Sequence, residues 1–388
     1  MSNDSPASEF VFVLKISKFC NLRCAYCYEH RELDVRENMR TETLRRLFAD
    51  IDRFGDHLSD LGIPPKFSFV WHGGEPLLLP RDFYVRMAEL QKAHMNRFAW
   101  RNSVQTNLFG IDRESLKFVS DAGWKLGVSI DFAEGVRRNA GRRETNASVM
   151  RAAEELRKSG VHFGAISVLG THNAHLLADA YDWVSEFADG WRILPAFEGG
   201  PEENMASLRL PEDDVVRVFL EIFRRRANAK KHIRIAPLDD HVKWATLKIA
   251  GCSLACDATR DTLDNIFVVN VNGDVFTRPF AYEPQFRLGN ICDASMIDMI
   301  ASHAYRSCQS AITRRKTRNC TNCESVGFCD TSPMHEHGAV TGDADGGRCV
   351  VTWGAVRAIE REFLDAGIDS AVIASWARDH LALETSGA

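Results

Sequence analysis

The chain has 388 residues, 45% of them hydrophobic, with Lys+Arg 48 against Asp+Glu 53 and a formal net charge of −5. That length suffices for a barrel-sized core and a smaller second one, and the mild acidity points away from a bulk nucleic-acid partner or a membrane surface. Met1 to Glu9 is polar, with no basic stretch leading into an apolar run, and no segment approaches the roughly 18 apolar residues of a membrane span. The expected compartment is the reducing cytoplasm, where eleven clustered cysteines serve metal rather than disulfides.

Short apolar runs alternate with amphipathic stretches from Phe10 to about Arg192. The predicted strands are Phe10–Ile16, Phe67–Trp71, Asn102–Thr106, Lys125–Ile130, His162–Val168 and Trp191–Leu194. Helical patterns fill the gaps at Thr41–Phe54, Arg81–Arg97, Arg113–Ala122, Thr145–Ser159 and Ala174–Phe187. Strands and helices in this order imply a parallel sheet with right-handed crossovers. Six such units are too few for a closed eight-stranded barrel, so the expected fold is α/β, a partial (β/α)6 barrel, with ligands at the carboxyl ends of the strands.

A Gly-Pro loop near Gly199, Gly200 and Pro201 marks a boundary, followed by helices over about Pro211–Asn228 and Leu238–Ile249. Short strands at Ile266–Val271 and Val275–Thr277, many turns and eight cysteines then occupy Gly251 to Cys349, and a helix runs from about Thr352 to Ala366. The expected domains are 10–197 (barrel), 198–250 (helical connector), 251–350 (cysteine-rich) and 351–388 (C-terminal helices). Basic runs at Arg224–Arg226 with Lys230–Lys231, in a helix, and at Arg314–Lys316, in a connection, read as solvated faces.

Just after the first strand stands Cys20-Asn-Leu-Arg-Cys24-Ala-Tyr-Cys27. This spacing brings three thiolates within reach of one centre. A structural zinc or a closed [4Fe–4S] cluster wants four protein ligands, whereas three leave one iron free to act on a bound molecule. Zinc with a distant fourth cysteine, or buried free thiols, are the competing readings of the triplet alone.

Cys20, Cys24, Tyr26 and Cys27 resemble the C-x3-C-x-aromatic-C signature of the radical S-adenosylmethionine superfamily, at that family's usual place after strand one. The resemblance implies that the open iron chelates the amino and carboxylate groups of S-adenosylmethionine, whose reductive cleavage gives methionine and a 5′-deoxyadenosyl radical, and that Tyr26 packs near the adenine. The second strand runs through His72 into Gly73-Gly74-Glu75-Pro76, a Gly-Gly-Glu-Pro segment similar to the family's motif for the methionine ammonium. Glycines there allow a close backbone approach to a ligand, and a carboxylate accepts from an ammonium. Thr106 and Asn107, closing strand three, and Ser129 with Asp131, closing strand four, are similar to positions that contact ribose and carboxylate. Thr171 and Asn173 are weaker candidates of the same kind.

Cys320, Cys323, Cys329 and Cys349 form a C-x2-C-x5-C…C set that completes a closed site for zinc or [4Fe–4S]. With Val269–Phe276 and Leu288-Gly289-Asn290-Ile291, it resembles the SPASM domain, which carries auxiliary clusters in radical enzymes that modify peptides and proteins. The resemblance covers about Phe10 to Cys349. It also has gaps: the family's cysteine after the hairpin glycine Gly273 falls on Arg278, and the one after Cys329 falls on Pro333. A first auxiliary cluster at Cys252 and Cys256 is therefore either absent or rebuilt with Cys292 or Cys308. His335 and His337 read as a solvated loop.

In sulfatase maturases, relatives of this architecture, a general-base aspartate follows the hairpin cysteine; the position is Pro279 here, which cannot take a proton. The expected function is therefore maturation of a ribosomally made precursor peptide by hydrogen abstraction and cross-linking, cyclophane or thioether. At least one auxiliary cluster and an electron donor such as flavodoxin or ferredoxin would take part, with no nucleic acid or membrane. The first strand begins too early for a separate leader-binding domain, so the precursor is expected to use barrel and SPASM surfaces, by strand addition at a sheet edge. Sulfatase-type protein modification and a non-catalytic zinc-stapled binding protein are the alternatives. Asp257, Asp274, Tyr282 and Glu283 lie near the auxiliary region and read as ordinary turn or surface residues.

Overall fold

The computed structural model describes residues 8–196, 202–251, 265–277, 284–326, 328–329 and 349–384. In chain order the elements are β1 (Ser8–Ser17), β2 (Leu22–Cys24), α1 (Thr41–Asp60), β3 (Pro65–Gly73), α2 (Arg81–His94), β4 (Trp100–Thr106), α3 (Arg113–Asp121), β5 (Lys125–Ser129), β6 (Arg137–Asn139), α4 (Asn146–Lys158), β7 (Gly164–Leu169), α5 (Leu177–Phe187) and β8 (Gly190–Pro195). There follow α6 (Glu202–Leu208), α7 (Glu212–Ala227), β9 (Arg234–Ala236), α8 (Leu238–Ala250), β10 (Ile266–Val269), β11 (Asp274–Thr277), β12 (Gly289–Asn290), α9 (Met296–Ile300), α10 (His303–Cys320), α11 (Val350–Asp365) and α12 (Ser370–Glu384). The strands are mostly parallel and alternate with helices, the α/β arrangement of a partial barrel.

Two compact units divide the chain. The first contains Met1–Ile130, Arg137–Gly164 and Leu263–Ser310; the second contains Asp131–Val136, Ala165–Thr262 and Ala311–Ala388. In the first, the strand order is β12-β11-β10-β1-β3-β4-β5, with β1, β3, β4 and β5 parallel and β10 parallel to β1. The second carries β7-β8-β9, with α7 packed on α5 and α11, and α8 on α11 and α12. These units cut across the expected boundaries. The hairpin β10–β11 joins the first unit because its backbone pairs directly with β1, Val11 opposite Ile266 and Leu14 opposite Val269.

Strand alternation gives the first unit its two faces. Phe10, Phe12, Phe67, Phe69, Trp71, Val104, Leu126 and Val128 are buried on one face. They meet α1 through Phe54 on Phe10 (ring centroids 5.6 Å) and Phe48 on Phe69 (5.6 Å). Helix α1 can cover them because Leu44, Leu47, Phe48, Ile51, Phe54 and Leu58 fall on one stripe. The intervening residues, among them Val13, Val70, His72, Ser103, Gln105, Gly127 and Ser129, are only half-buried on the opposite face.

Differences from expectation have local causes. Three-residue strands β2, β6 and β9 carry too short a pattern to read. Arg314–Lys316, expected in a connection, lies within α10. The other basic run sits on α7, where Arg224 pairs with Glu362 at 2.6 Å, Arg225 with Asp182 and Arg226 with Asp239. Residues 197–201, Cys252, Cys256, Asp257, Arg278, Pro279, Tyr282, Glu283, Pro333, His335 and His337 lie outside the described residues.

Candidate active site

The cysteine loop leaves β1 at its carboxyl end and is held from three sides. Strand β2 pairs antiparallel with β6, Leu22 opposite Asn139 and Cys24 opposite Arg137, which fixes the backbone between the first two cysteines. Asn21 Nδ2 donates to the Phe109 carbonyl at 2.6 Å, and Asn107 Nδ2 donates to Asn21 Oδ1 at 2.8 Å, tying the loop to the end of β4. The Arg23 guanidinium donates to the carbonyls of Cys20 (2.8 Å) and Leu22 (2.7 Å).

Cys20, Leu22 and Leu33 form a buried cluster against which Cys24, Cys27 and Phe109 pack, so the three thiols share one pocket. Burial pushes the Cys20 thiol up to about 12, with the charges of Glu75, Cys24 and Cys27 adding to it. The Cys27 thiol also rises to about 12, from burial first and then its neighbour Cys24. Cys20 Sγ accepts N–H bonds from Leu22 (3.4 Å) and Asn107 Nδ2 (3.6 Å), contacts that favour a thiolate and tune iron–sulfur clusters.

Three crowded thiols, Cys20 buried and Cys24 and Cys27 partly so, with N–H donors aimed at the Cys20 sulfur, fit a cationic centre that would reverse those shifts. Among the described residues no group of three His, Cys, Asp or Glu side chains stands in metal-holding geometry.

The Gly73-Gly74-Glu75-Pro76 segment docks onto the chain entering this loop. Gly74 N–H donates to the Ser17 carbonyl (2.7 Å) and Glu75 N–H to the Phe19 carbonyl (2.9 Å). A Cβ on Gly73, whose φ is +143°, would lie 2.2 Å from the Ser17 oxygen; one on Gly74 would lie 2.3 Å from that of Lys18. The close approach these glycines permit in the structure is thus to the chain's own backbone.

Glu75 points inward and is almost wholly buried. Its carboxylate accepts from Leu77 N–H (3.0 Å), Thr106 Oγ1–H (2.8 Å) and Asn107 N–H (2.6 Å). Burial nevertheless raises its pKa to about 7 against these donors. The carboxylate therefore staples the ends of β3 and β4 together. Glu75→Ala would strand three buried donors while relieving a buried charge, and a net loss of about 2 kcal/mol is expected, read as a lower melting temperature of the purified protein.

The remaining candidates are placed as follows. Tyr26 OH accepts from Arg137 Nη1 at 3.2 Å, and Ser129 Oγ from Gln105 Nε2 at 2.9 Å, both in the first unit. Arg137 and Gln105 were not singled out from sequence; a buried arginine on a three-residue strand gives no periodic signal. In the second unit, Asp131 is buried and its Oδ1 accepts from Val168 N–H (2.7 Å), while Asn173 Nδ2 donates to the Asp131 carbonyl (3.0 Å). Thr171 Oγ1 donates to the Ser207 carbonyl (2.7 Å). The structure brings Cys20, Cys24, Cys27, Tyr26, Gly73–Pro76, Thr106 and Asn107 into one constellation at the strand ends of the first unit.

Cys320, Cys323, Cys329 and Cys349 lie in the second unit, and Cys292 and Cys308 in the first. Cys320 is buried at the end of α10, Cys323 and Cys329 follow in turns, and Cys349 caps the N-terminus of α11, where the helix dipole favours a thiolate. Cys323 Sγ accepts the N–H of Ser325 at 3.5 Å, the same i+2 pattern as Leu22 on Cys20. Cys292 is exposed, with its carbonyl accepting from Arg46 Nη1 at 2.9 Å, and Cys308 is buried.

A parallel sheet with a three-thiol loop at its carboxyl end defines a class of iron–sulfur radical enzyme, and the family comparisons agree. Residues 14–184 match the radical SAM superfamily and residues 256–324 the SPASM iron–sulfur cluster-binding domain. The chain belongs to the radical SAM superfamily and is a radical SAM enzyme with a C-terminal SPASM domain. Its cofactors are a [4Fe–4S] cluster and S-adenosylmethionine, with iron–sulfur binding in the SPASM region.

The chain is 25% identical to the serine-type anaerobic sulfatase-maturating enzyme of Bacteroides thetaiotaomicron, over 87% of this chain and 85% of that protein. It is 28% identical to the cysteine-type anaerobic sulfatase-maturating enzyme of Clostridium perfringens, over 74% of this chain and 78% of that protein. Among solved structures, native anSMEcpe with bound AdoMet and the Cp18Cys peptide shares the fold at TM-score 0.71 and 20% identity, covering 96% of this chain and 99% of that one. Streptococcus suis SuiB bound to precursor peptide SuiA shares it at TM-score 0.56 and 14% identity, covering 83% and 71%.

Proposed function

We propose that the enzyme matures a ribosomally made precursor peptide, abstracting hydrogen from a side-chain or backbone carbon and closing a cross-link, cyclophane or thioether, to a neighbouring side chain. The observation that carries the radical chemistry is the shared pocket of Cys20, Cys24 and Cys27 at the carboxyl end of β1, clamped by the Gly73–Pro76 segment. In this reading those three thiolates would hold the cluster, and Tyr26, Gly73, Gly74, Glu75, Pro76, Thr106, Asn107 and Ser129 of the same unit would line the cofactor pocket. Cys320, Cys323, Cys329 and Cys349 hold one auxiliary [4Fe–4S] cluster. When bound, these groups supply a 5′-deoxyadenosyl radical that removes a hydrogen atom from carbon, and an acceptor for the remaining electron. The protein's part is to seat the thiolates, exclude water around buried Cys20 and Glu75, and present the peptide on the face of the sheet opposite α1. A ferredoxin- or flavodoxin-type donor and a reducing cytoplasm complete the reading. Among the described residues no helix is long and apolar enough to cross a membrane.

Formylglycine formation on a sulfatase-type protein is the second reading, favoured by similarity to the sulfatase-maturating enzymes along most of their length. Pro279 in place of a general base supports the first.

Anaerobically reconstituted enzyme should be incubated with the Cp18Cys peptide and, separately, with the short peptide encoded beside this chain's gene. Loss of two hydrogens without an aldehyde-reactive group, in the gene-neighbour peptide, is the expected result. A hydrazide-reactive aldehyde in either peptide would transfer the assignment to the second reading. Formation of 5′-deoxyadenosine with both peptides unchanged would overturn both.

A further inference from the structure

The face of the sheet opposite α1 carries a polar cluster beside the cofactor loop that the roles above do not use. Lys15, on β1, is the register partner of His72, on β3, so both side chains project from the same face of the sheet. Lys15 is almost fully buried. Its ammonium pairs with Glu29 Oε1 at 2.9 Å, donates to Tyr28 OH, lies 4.4 Å from the Tyr28 ring centroid and reaches His72 Nδ1 at 3.3 Å. A lysine so buried persists because Glu29 and Tyr28, both just beyond Cys27, compensate its charge.

This arrangement decides the state of His72. Nδ1 receives the Gly73 N–H at 2.8 Å as well as the Lys15 ammonium, and neither of those groups can accept. The Gly73 carbonyl, at 3.3 Å, is the one acceptor beside that nitrogen. Nδ1 is therefore the ring's acceptor, and the proton of the neutral imidazole sits on Nε2. Burial, and then the Lys15 charge, hold the ring well below the usual histidine pKa, so it stays neutral. Nε2 has no hydrogen-bond partner among the described residues, and His72 is only half-buried. The result is an N–H donor of fixed direction with nothing to bond.

Polar groups continue the row. Trp71 lies opposite Val104, so the next residue of each strand, His72 and Gln105, projects from the other face of the sheet. Gln105 Nε2 donates to Ser129 Oγ at 2.9 Å, and its Oε1 fills the space that a side chain at Gly127 would need. A line of amide, hydroxyl and imidazole groups across three strands suits a ligand rich in amide carbonyls and N–H groups.

We infer that His72 is a substrate-binding residue whose Nε2–H donates to a carbonyl oxygen of the peptide, with Lys15, locked by Glu29, as the positioning residue that fixes the tautomer. This rests on the peptide-modifying reading and specifies which group holds the peptide.

Two variants test it on the cluster-loaded enzyme: His72→Phe removes the donor, and His72→Gln restores an N–H near the position of Nε2. 5′-Deoxyadenosine formed without peptide, and KM, kcat and deoxyadenosine consumed per product with the Cp18Cys and gene-neighbour peptides, are measured for both variants and wild type. His72→Phe should leave peptide-free cofactor cleavage within about twofold. It should also raise the peptide KM about five- to tenfold, the loss expected for one neutral hydrogen bond, and increase the deoxyadenosine spent per product. His72→Gln should recover most of both. An unchanged peptide KM in His72→Phe, a glutamine variant as impaired as the phenylalanine one, or a matching loss of peptide-free cleavage would overturn the assignment. Wild type that cleaves cofactor but converts neither peptide would overturn the functional reading and this peptide contact with it.

Discussion

Cys24→Ala is expected to abolish 5′-deoxyadenosine formation and to lower bound iron by about four atoms per chain, the content of one cubane. The pocket supplies three thiols and packs them against Leu22 and Leu33; removing one leaves two against a centre that needs three. Cys20 and Cys27, already pushed to about 12, would gain no metal to draw them back toward thiolate. The fold should survive, because Cys24 is only partly buried and β2 keeps its pairing with β6 through the backbone. Cys323→Ala should behave differently: it also loses about four irons, but retains cofactor cleavage and fails to convert peptide. Iron analysis, circular dichroism and chromatography of the cleavage products separate the two. Full cofactor cleavage by Cys24→Ala, or zinc as the native metal of this loop, would remove the basis of the radical reading.

Gly74→Ala is the second large effect. The added methyl would stand 2.3 Å from the Lys18 carbonyl oxygen and 2.4 Å from that of Phe19, both backbone atoms. Neither can retreat cheaply, because Gly74 and Glu75 donate to the Ser17 and Phe19 carbonyls within the same contact. The segment must lift off the entrance to the cysteine loop. A loss of at least about 3 kcal/mol is expected for overpacking at such a site, together with most of the cluster bound by the first three cysteines. Thermal unfolding and iron content measure both. An alanine variant that matched wild type in iron and melting temperature would refute the docking of the two segments.

Much of the fold is legible in the sequence because its cause is local. Phe67, Phe69 and Trp71 alternate with Ser68 and Val70, and period two is the geometry of a strand with one covered face. Leu44, Leu47, Phe48 and Ile51 announce α1 in the same way at helical spacing. The cysteine triplet is equally plain, since its spacing is its chemistry. The β2–β6 pair was not legible: three residues give no period, and the pairing joins segments more than a hundred residues apart. Glu75 shows a further limit. Sequence offers a carboxylate at a strand end, but whether its lone pairs face a ligand or Thr106 and Asn107 depends on which donors the fold delivers. Helix α10, rich in arginine and polar residues, lacks an apolar stripe and so looked like a connection.

Strand β1 is flanked by β3 on one side and by β10 on the other, with Val11 N–H donating to the Asn265 carbonyl at 2.7 Å. A chain shortened before residue 265 would leave the N–H and C=O groups that Val11 to Leu14 turn toward β10 unanswered along a hydrophobic edge, a template on which other molecules stack. The radical-generating half therefore cannot be excised as a portable module, and fusion or minimisation schemes must carry the β10–β11 hairpin with it.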